Sequence, residues 1–297
     1  IALTHIMGRR EMDLELTSEE QVLEFLGETD RPILLSVSGG KDSTAVGLLL
    51  KEKGISYTPI FCDTGWEHED TYKYLEKLGQ VFGREIITLR NEELNFEGHR
   101  YGMESIALKM KMFPNPIRKW CTNELKLVSY RDFAVGTFLR EGKLPINITG
   151  IRRGESKRRS SFPFVEEQDE ATQIRPILDW SEEDVIEIHR RHQLPPNPLY
   201  LKGATRVGCW PCVHANKNDL KLIDRIDPER ITYIEGLEAR VSEMRGKPCT
   251  FFKKPIRDAV SWANGHQNKV SPIFTEEEMG KSDVGCFRWG LCDTGDN

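Results

Sequence analysis

The 297-residue chain is 38% hydrophobic and 30% charged, with a formal net charge of −5. This length suits one large α/β domain with a smaller module, and the composition is that of a water-soluble globular protein. No apolar run approaches the ~20 residues of a membrane span, the polar N-terminus lacks the apolar stretch of a secretion signal, and the acidic balance argues against a wholly basic nucleic-acid binder. A cytoplasmic setting without membrane contact is the expectation. Charge is unevenly spread, however: Arg152, Arg153, Lys157, Arg158 and Arg159 form a basic run, and Glu276, Glu277 and Glu278 an acidic one.

Residues 1–30 read as an N-terminal extension and helix. Residues 32–38 form a short apolar run ahead of two glycines and predict a buried strand. A helix over 42–53 follows, with Val46, Leu49 and Leu50 on a helical period. A strand is predicted over 56–62, a helix over 69–82 and a third strand over 85–89. The pattern continues with a helix over 123–139, a strand over 146–150, and a helix over 182–192 opened by a capping-box pattern at Ser181. Strands alternating with helices imply a doubly wound α/β fold around a mostly parallel sheet. A nucleotide-binding domain over 31–200 is expected. Pro195, Pro196 and Pro198 then break the pattern. Residues 219–245 read as helical and the stretch from Gly246 as irregular, so 201–297 is read as a cysteine-rich helical module.

The expected site lies where parallel sheets bind ligands, beyond the carboxyl ends of the strands. Ser38-Gly39-Gly40-Lys41-Asp42-Ser43 sits between a strand and a helix. The glycines let backbone N–H groups turn toward an anion, the helix N-terminus favours negative charge, and Lys41 offsets it. It is not a Walker A loop, which needs G-x-x-x-x-G-K-[ST]. Asp63 follows the second strand, where a carboxylate serves a ribose, an adenine or Mg²⁺, or caps a turn. Gly150 follows the fourth strand, and Arg152 and Arg153 behind it suit phosphate or sulfate oxygens.

The string SGGKDS resembles the loop of the PP-loop, or N-type ATP pyrophosphatase, superfamily. That resemblance implies an adenine-nucleotide alpha-hydrolase-like fold. It also implies ATP or an adenylyl nucleotide, with Mg²⁺, held by Ser36, Ser38, Gly39, Gly40, Lys41, Asp42, Ser43, Asp63, Gly150 and Arg152. Lys41, Asp42 and Arg152 are then the catalytic candidates. Thr149-Gly150-Ile151-Arg152-Arg153-Gly154-Glu155-Ser156, the 194–200 segment LPPNPLY and Gly208-Cys209-Trp210-Pro211-Cys212 resemble the adenylyl-sulfate and phosphoadenylyl-sulfate reductase branch. Trp120-Cys121-Thr122 resembles the segment that carries paired cysteines in that branch, with Trp120 in place of one of them. Residues 285–295 read GCFRWGLCDTG where the reductases carry E-C-G-[IL]-H. W-C-T-x-x-L-K and R-x-G-C-W-x-C also resemble the iron–sulfur ATP-pyrophosphatase component of DNA phosphorothioation systems.

Seven cysteines in a reducing compartment point to metal or redox chemistry. Cys209 and Cys212 form a C-x-x-C knuckle able to place two thiolates on one metal. The resemblance adds Cys121, and the fourth ligand of a [4Fe–4S] cluster is expected from the tail, Cys292 ahead of Cys286. A zinc site of Cys209, Cys212, Cys286 and Cys292 is the competing reading, and a tail thiol acting as a sulfur carrier is a third. The leading expectation is an ATP pyrophosphatase that adenylylates a nucleic-acid acceptor for sulfur insertion, with a cysteine desulfurase as sulfur donor. A sulfonucleotide reductase is the alternative, and a non-catalytic nucleotide-binding subunit the second.

Overall fold

Short β-rich runs and longer amphipathic runs sort into the expected alternation. The computed structural model describes residues 15–96, 98–168 and 170–265. In chain order the elements are α1 (Glu19–Glu28), β1 (Ile33–Ser36), α2 (Lys41–Glu52), β2 (Thr58–Cys62), α3 (Glu69–Phe82), β3 (Ile87–Leu89) and α4 (Met103–Met110). Next come α5 (Trp120–Thr122), α6 (Val128–Thr137), β4 (Ile146–Ile148), β5 (Val165–Glu167), β6 (Thr172–Ile174) and α7 (Glu182–Arg191). The last are α8 (Pro198–Leu201), α9 (Lys217–Ile226), α10 (Pro228–Arg245) and α11 (Ile256–Gly265). The six strands form one sheet in the order β3-β2-β1-β4-β6-β5. β1 pairs in parallel with β2 and β4, β4 pairs in parallel with β6, and β5 runs antiparallel to β6. This is the mostly parallel α/β sheet that the alternation implied.

The chain forms two compact units, each built from three stretches of sequence. One comprises residues 1–61, 75–89 and 130–192, the other 62–74, 90–129 and 193–297. In the first, Leu34 and Leu35 of β1 are both fully buried. Successive strand residues face opposite sides, so both faces of the sheet are covered. Ser36, Asn147 and Gln173 lay a polar ladder across β1, β4 and β6. Ser36 Oγ donates to Asn147 Oδ1 (2.9 Å), and Asn147 Nδ2 donates to Gln173 Oε1 (2.9 Å). α7 opens on the anticipated capping box, with Ser181 Oγ accepting from the Asp184 N–H (3.1 Å) while Asp184 accepts from the Ser181 N–H (2.7 Å).

In the second unit the core gathers Trp66, α4 and the helices α9 to α11. The helix anticipated over 219–245 is two helices. Pro228 supplies no N–H to a continuing helix, and Asp227 instead caps α10 by accepting from the Arg230 N–H (3.2 Å). The stretch from Gly246 is less irregular than expected, because Ile256, Ala259, Val260 and Ala263 fall on one buried face and make α11. The helix expected over 123–139 begins earlier, at Trp120, and passes through a π-helical turn over Asn123–Leu127 before α6.

Gly47 of α2 faces the Phe82 ring, where an added Cβ would stand 2.5 Å from a ring carbon. Gly47→Ala should therefore cost about 1–3 kcal/mol in chemical denaturation, and Phe82→Leu in the same chain should restore part of it.

Candidate functional site

In the first unit, Ser38 follows β1 and Gly150 follows β4, its parallel neighbour, so both loops leave the same sheet edge. Gly39 turns the loop at φ 72°, a conformation glycine adopts without steric cost. Gly40 is the N-cap of α2 and has no side chain to satisfy the first amides of the helix. Ser43 Oγ accepts from the Ser38 N–H (3.2 Å) and donates to Gly40 O (3.1 Å), tying the two ends of the loop together. Thr44 Oγ1 donates to the same carbonyl (3.0 Å). Gly150 abuts this turn: a Cβ there would lie 2.6 Å from the Asp42 carbonyl carbon and 2.7 Å from the Ser43 nitrogen.

The charges of the turn are paired. Arg152, only 6% exposed, donates from Nε to Asp42 Oδ1 at 2.6 Å. Lys41 Nζ stands 3.2 Å from Asp42 Oδ2 and 3.8 Å from Glu182 Oε1. The Arg152 N–H is in turn held by Glu155 Oε2 (2.9 Å), and the ring of buried His189 contacts the Lys41 carbonyl oxygen at 3.0 Å. Lys41, Asp42 and Arg152 thus form one buried ionic group on the first turn of α2. The rest of the basic run divides. Arg153 is used locally, on Asp179 (2.5 Å) and on the carbonyls of Ser160 and Phe162, and Arg159 pairs with Glu155. Lys157 and Arg158 are exposed and make no ion pair among the described residues.

In the second unit, Asp63 is 2% exposed and its carboxylate is fully engaged. Oδ1 accepts from the Gly65 N–H (2.8 Å) and the Tyr72 hydroxyl (2.8 Å), and Oδ2 accepts from Arg90 (2.8 Å). The Tyr72 oxygen also lies 3.1 Å from Glu67 Oε2. Burial and these two carboxylates push the Tyr72 phenol well above its ordinary range. Glu67 holds the turn from the other side, accepting from the Thr64 hydroxyl (2.6 Å) and the Trp66 N–H (3.1 Å). Neither Glu67, Tyr72 nor Arg90 was anticipated. Their signals were Glu67 four residues beyond Asp63, and Arg90 directly after β3.

Three expected cysteines, Cys121, Cys209 and Cys212, occur in this same unit. The Cys121 thiol feels Cys212, and Cys209 feels both Cys212 and the Lys126 ammonium. Burial pushes the Cys209 thiol up to about 11, and Lys126 works against that shift. Cys62 Sγ lies 3.7 Å from the Lys126 carbonyl oxygen. Cys249 is buried beneath Ser242, whose Oγ accepts from its N–H (2.9 Å). Cys286 and Cys292 lie outside the described residues. Among the described residues no three or more His, Cys, Asp or Glu side chains are set to hold a metal ion. Trp120, which stands where the reductase pattern has a cysteine, is 8% exposed, and its buried Nε1–H has no acceptor among the described residues. Cys121, Cys209 and Cys212 are thiolate donors of the kind a metal–sulfur group takes, and the described residues do not gather three of them at one point.

Residues 32–215 match the family described as the phosphoadenosine phosphosulfate reductase domain. The chain belongs to that family. This phosphoadenosine phosphosulfate reductase-domain protein therefore has the PP-loop, adenine-nucleotide alpha-hydrolase-like fold that its loop and sheet order indicated. An uncharacterized 37.8 kDa protein of Escherichia phage 186 is 34% identical to it over 74% of this chain and 78% of its own length. An uncharacterized protein of Methanocaldococcus jannaschii is 30% identical over 71% of this chain, which spans only 43% of that relative. A phosphoadenosine 5'-phosphosulfate reductase of Xanthomonas oryzae is 25% identical over 65% of this chain and 76% of that enzyme. No helix among the described residues is long and apolar enough to cross a membrane.

Asp42→Ala strips two buried cations of their shared partner, so it should cost about 3 kcal/mol in urea unfolding. Adding Arg152→Met to Asp42→Ala should cost less than the sum of the two single changes, because the second change removes a charge already unpaired.

Proposed function

We propose that this chain is a PP-loop ATP pyrophosphatase that activates a phosphate-bearing nucleic-acid acceptor for sulfur insertion. The observation that carries this reading is the ionic group of Lys41, Asp42 and Arg152 on an N-terminal helix turn without a side-chain cap. A bound triphosphate offers Lys41 and Arg152 the negative charge that Asp42 now supplies, at the positive end of the α2 dipole. Ser38, Ser43 and the Gly150 contact keep that turn in shape. Ser36 and Asp63 are assigned to the framework, because Ser36 Oγ is spent on Asn147 and the Asp63 carboxylate on three donors. Mg²⁺ enters with the nucleotide.

In the reaction we infer, an acceptor oxygen attacks the α-phosphorus and pyrophosphate leaves. Lys41 and Arg152 stabilise the charge that builds on the phosphates. The terminal sulfur of a persulfide donor, of the kind a cysteine desulfurase makes, then attacks the activated centre and displaces AMP. A thiol cleaves the resulting S–S bond, leaving the sulfur on the acceptor and the donor cysteine in a disulfide with that thiol. The exposed Lys157 and Arg158 support an acceptor with a phosphate backbone. Cys121, Cys209 and Cys212 would hold a [4Fe–4S] cluster, with Cys292 proposed as the fourth ligand. When bound, that cluster supplies a sulfur or electron relay and a staple for the chain around it.

A second reading, reduction of an adenylyl sulfate, is favoured by the relatives named as reductases. The two separate on products. The proposed activity gives pyrophosphate from ATP in the presence of DNA or tRNA, whereas the reductase gives sulfite from an adenylyl sulfate and a thiol reductant. Lys41→Ala should lower pyrophosphate release by at least about a hundredfold with unchanged circular dichroism, and wild-type turnover in that variant would overturn the loop assignment. Chain purified without oxygen should carry about four irons and four sulfides. One zinc and no iron would leave the cysteines a structural staple.

A further inference from the structure

The second unit contains a contact that the family match does not reach. The match ends at residue 215, and α10 lies wholly beyond it. Yet the first turn of α10 grips the residue at the centre of the cysteine knuckle. Trp210 stands between Cys209 and Cys212, and Asp227, the cap of α10, accepts from its indole Nε1–H at 2.9 Å. Three residues later Arg230 donates from Nε to the Trp210 carbonyl oxygen at 2.7 Å. The same guanidinium reaches Trp66 O at 3.3 Å and lies 3.9 Å from the centre of the Trp66 ring. Trp66 answers by accepting from the Trp210 N–H (2.8 Å) and donating from its own Nε1 to Pro211 O (3.0 Å). A β-bridge joins Glu67 to Cys209 next door, and the His68 ring meets Trp210 edge-on at 5.2 Å.

Arg230 is an unusual choice for a purely structural position. It is 9% exposed, and the hydrogen bonds of its guanidinium among the described residues go to neutral carbonyls, with the Trp66 and Tyr233 rings at its face. Burial lowers its pKa to about 10, which leaves it cationic at neutral pH. A buried cation satisfied by carbonyls and rings is costly unless it fixes something the chain needs fixed. What it fixes here is the backbone between two cysteines.

We propose that Asp227 and Arg230 form a clamp that positions the Cys209–Cys212 knuckle for the group its thiolates hold, so that the helices past residue 215 serve as an outer support of that site. All three hydrogen-bonding groups of Trp210 are held, the indole by Asp227, the carbonyl by Arg230 and the N–H by Trp66. The proposal rests on the reading that the knuckle binds a metal group. Outer-shell partners of this kind govern how tightly a metal is retained, by about 10–100-fold.

The test uses the full chain in two forms. In protein purified without oxygen, Arg230→Leu should speed iron release to a ferrous chelator by about tenfold or more and change the visible circular dichroism of the bound cluster. Trp210→Phe, which deletes only the indole N–H, should give a smaller change in the same direction. Asp227→Asn, which keeps an acceptor for that N–H, should behave as wild type. In metal-free protein, alkylation of Cys209 read by mass spectrometry should accelerate in Arg230→Leu while that of Cys62 stays at the wild-type rate. Wild-type iron release and an unchanged spectrum in both Arg230→Leu and Trp210→Phe would overturn the clamp and leave the metal reading standing. Wild-type protein without metal would overturn the metal reading, and the alkylation rates would then decide the clamp alone. Equal acceleration at Cys209 and Cys62 would mean that Arg230 supports the fold in general, and would also overturn it.

Discussion

A carboxylate held between two buried cations organises the nucleotide-loop end of the first unit. Asp42 sits on the opening turn of α2 with Arg152 at 2.6 Å and Lys41 at 3.2 Å. Low exposure makes such contacts strong when complete and costly when broken. Arg152 comes from the loop after β4, and the bare Gly150 lets that loop lie against the Asp42 and Ser43 backbone. The helix turn, the strand register and the basic loop are therefore one construction. It sets two cations at the opening turn of α2, which no side chain caps, and we propose this turn as a phosphate site.

The second unit uses the opposite device. Around Asp63 and Glu67 the carboxylates are filled by hydroxyls, amides and Arg90, and the result is a rigid polar turn rather than an open one. Around Trp66 the support is aromatic, with Phe251 stacked at 5.6 Å and Arg230 over the ring. The cysteine knuckle hangs from these two supports, through the Glu67–Cys209 bridge and the Trp66–Trp210 hydrogen bond. The Cys209 thiol also meets the Thr64 hydroxyl at 3.7 Å, and the Cys212 thiol the Arg206 guanidinium at 3.6 Å.

Most of this was legible where chemistry is local. The strands β1, β2 and β4, the helices α2, α3 and α7, and the Ser181 capping box follow from runs of apolar residues and from short-range hydrogen bonding. The loop at 38–43 announced itself by glycines between a strand and a helix. β5 and β6 were missed because each has only three residues and β5 is largely charged, so no period could develop. α4 was missed because it opens on Gly102 at φ 87° without a capping side chain. Partners far apart in sequence were out of reach. Asp42 is 110 residues from Arg152, and nothing near Trp66 indicates Arg230, 164 residues on. Arg90, which occupies the Asp63 carboxylate, lies 27 residues away and was out of reach in the same way.

We propose that the first turn of α2 is an anion site whose cations Asp42 holds ready. Calorimetric titration of the purified chain with Mg·ATP tests it most directly, comparing wild type with Arg152→Met. The account predicts saturable binding at one site per chain, weakened by about tenfold or more when the guanidinium is lost. Absence of binding, or equal affinity in the two proteins, would contradict it.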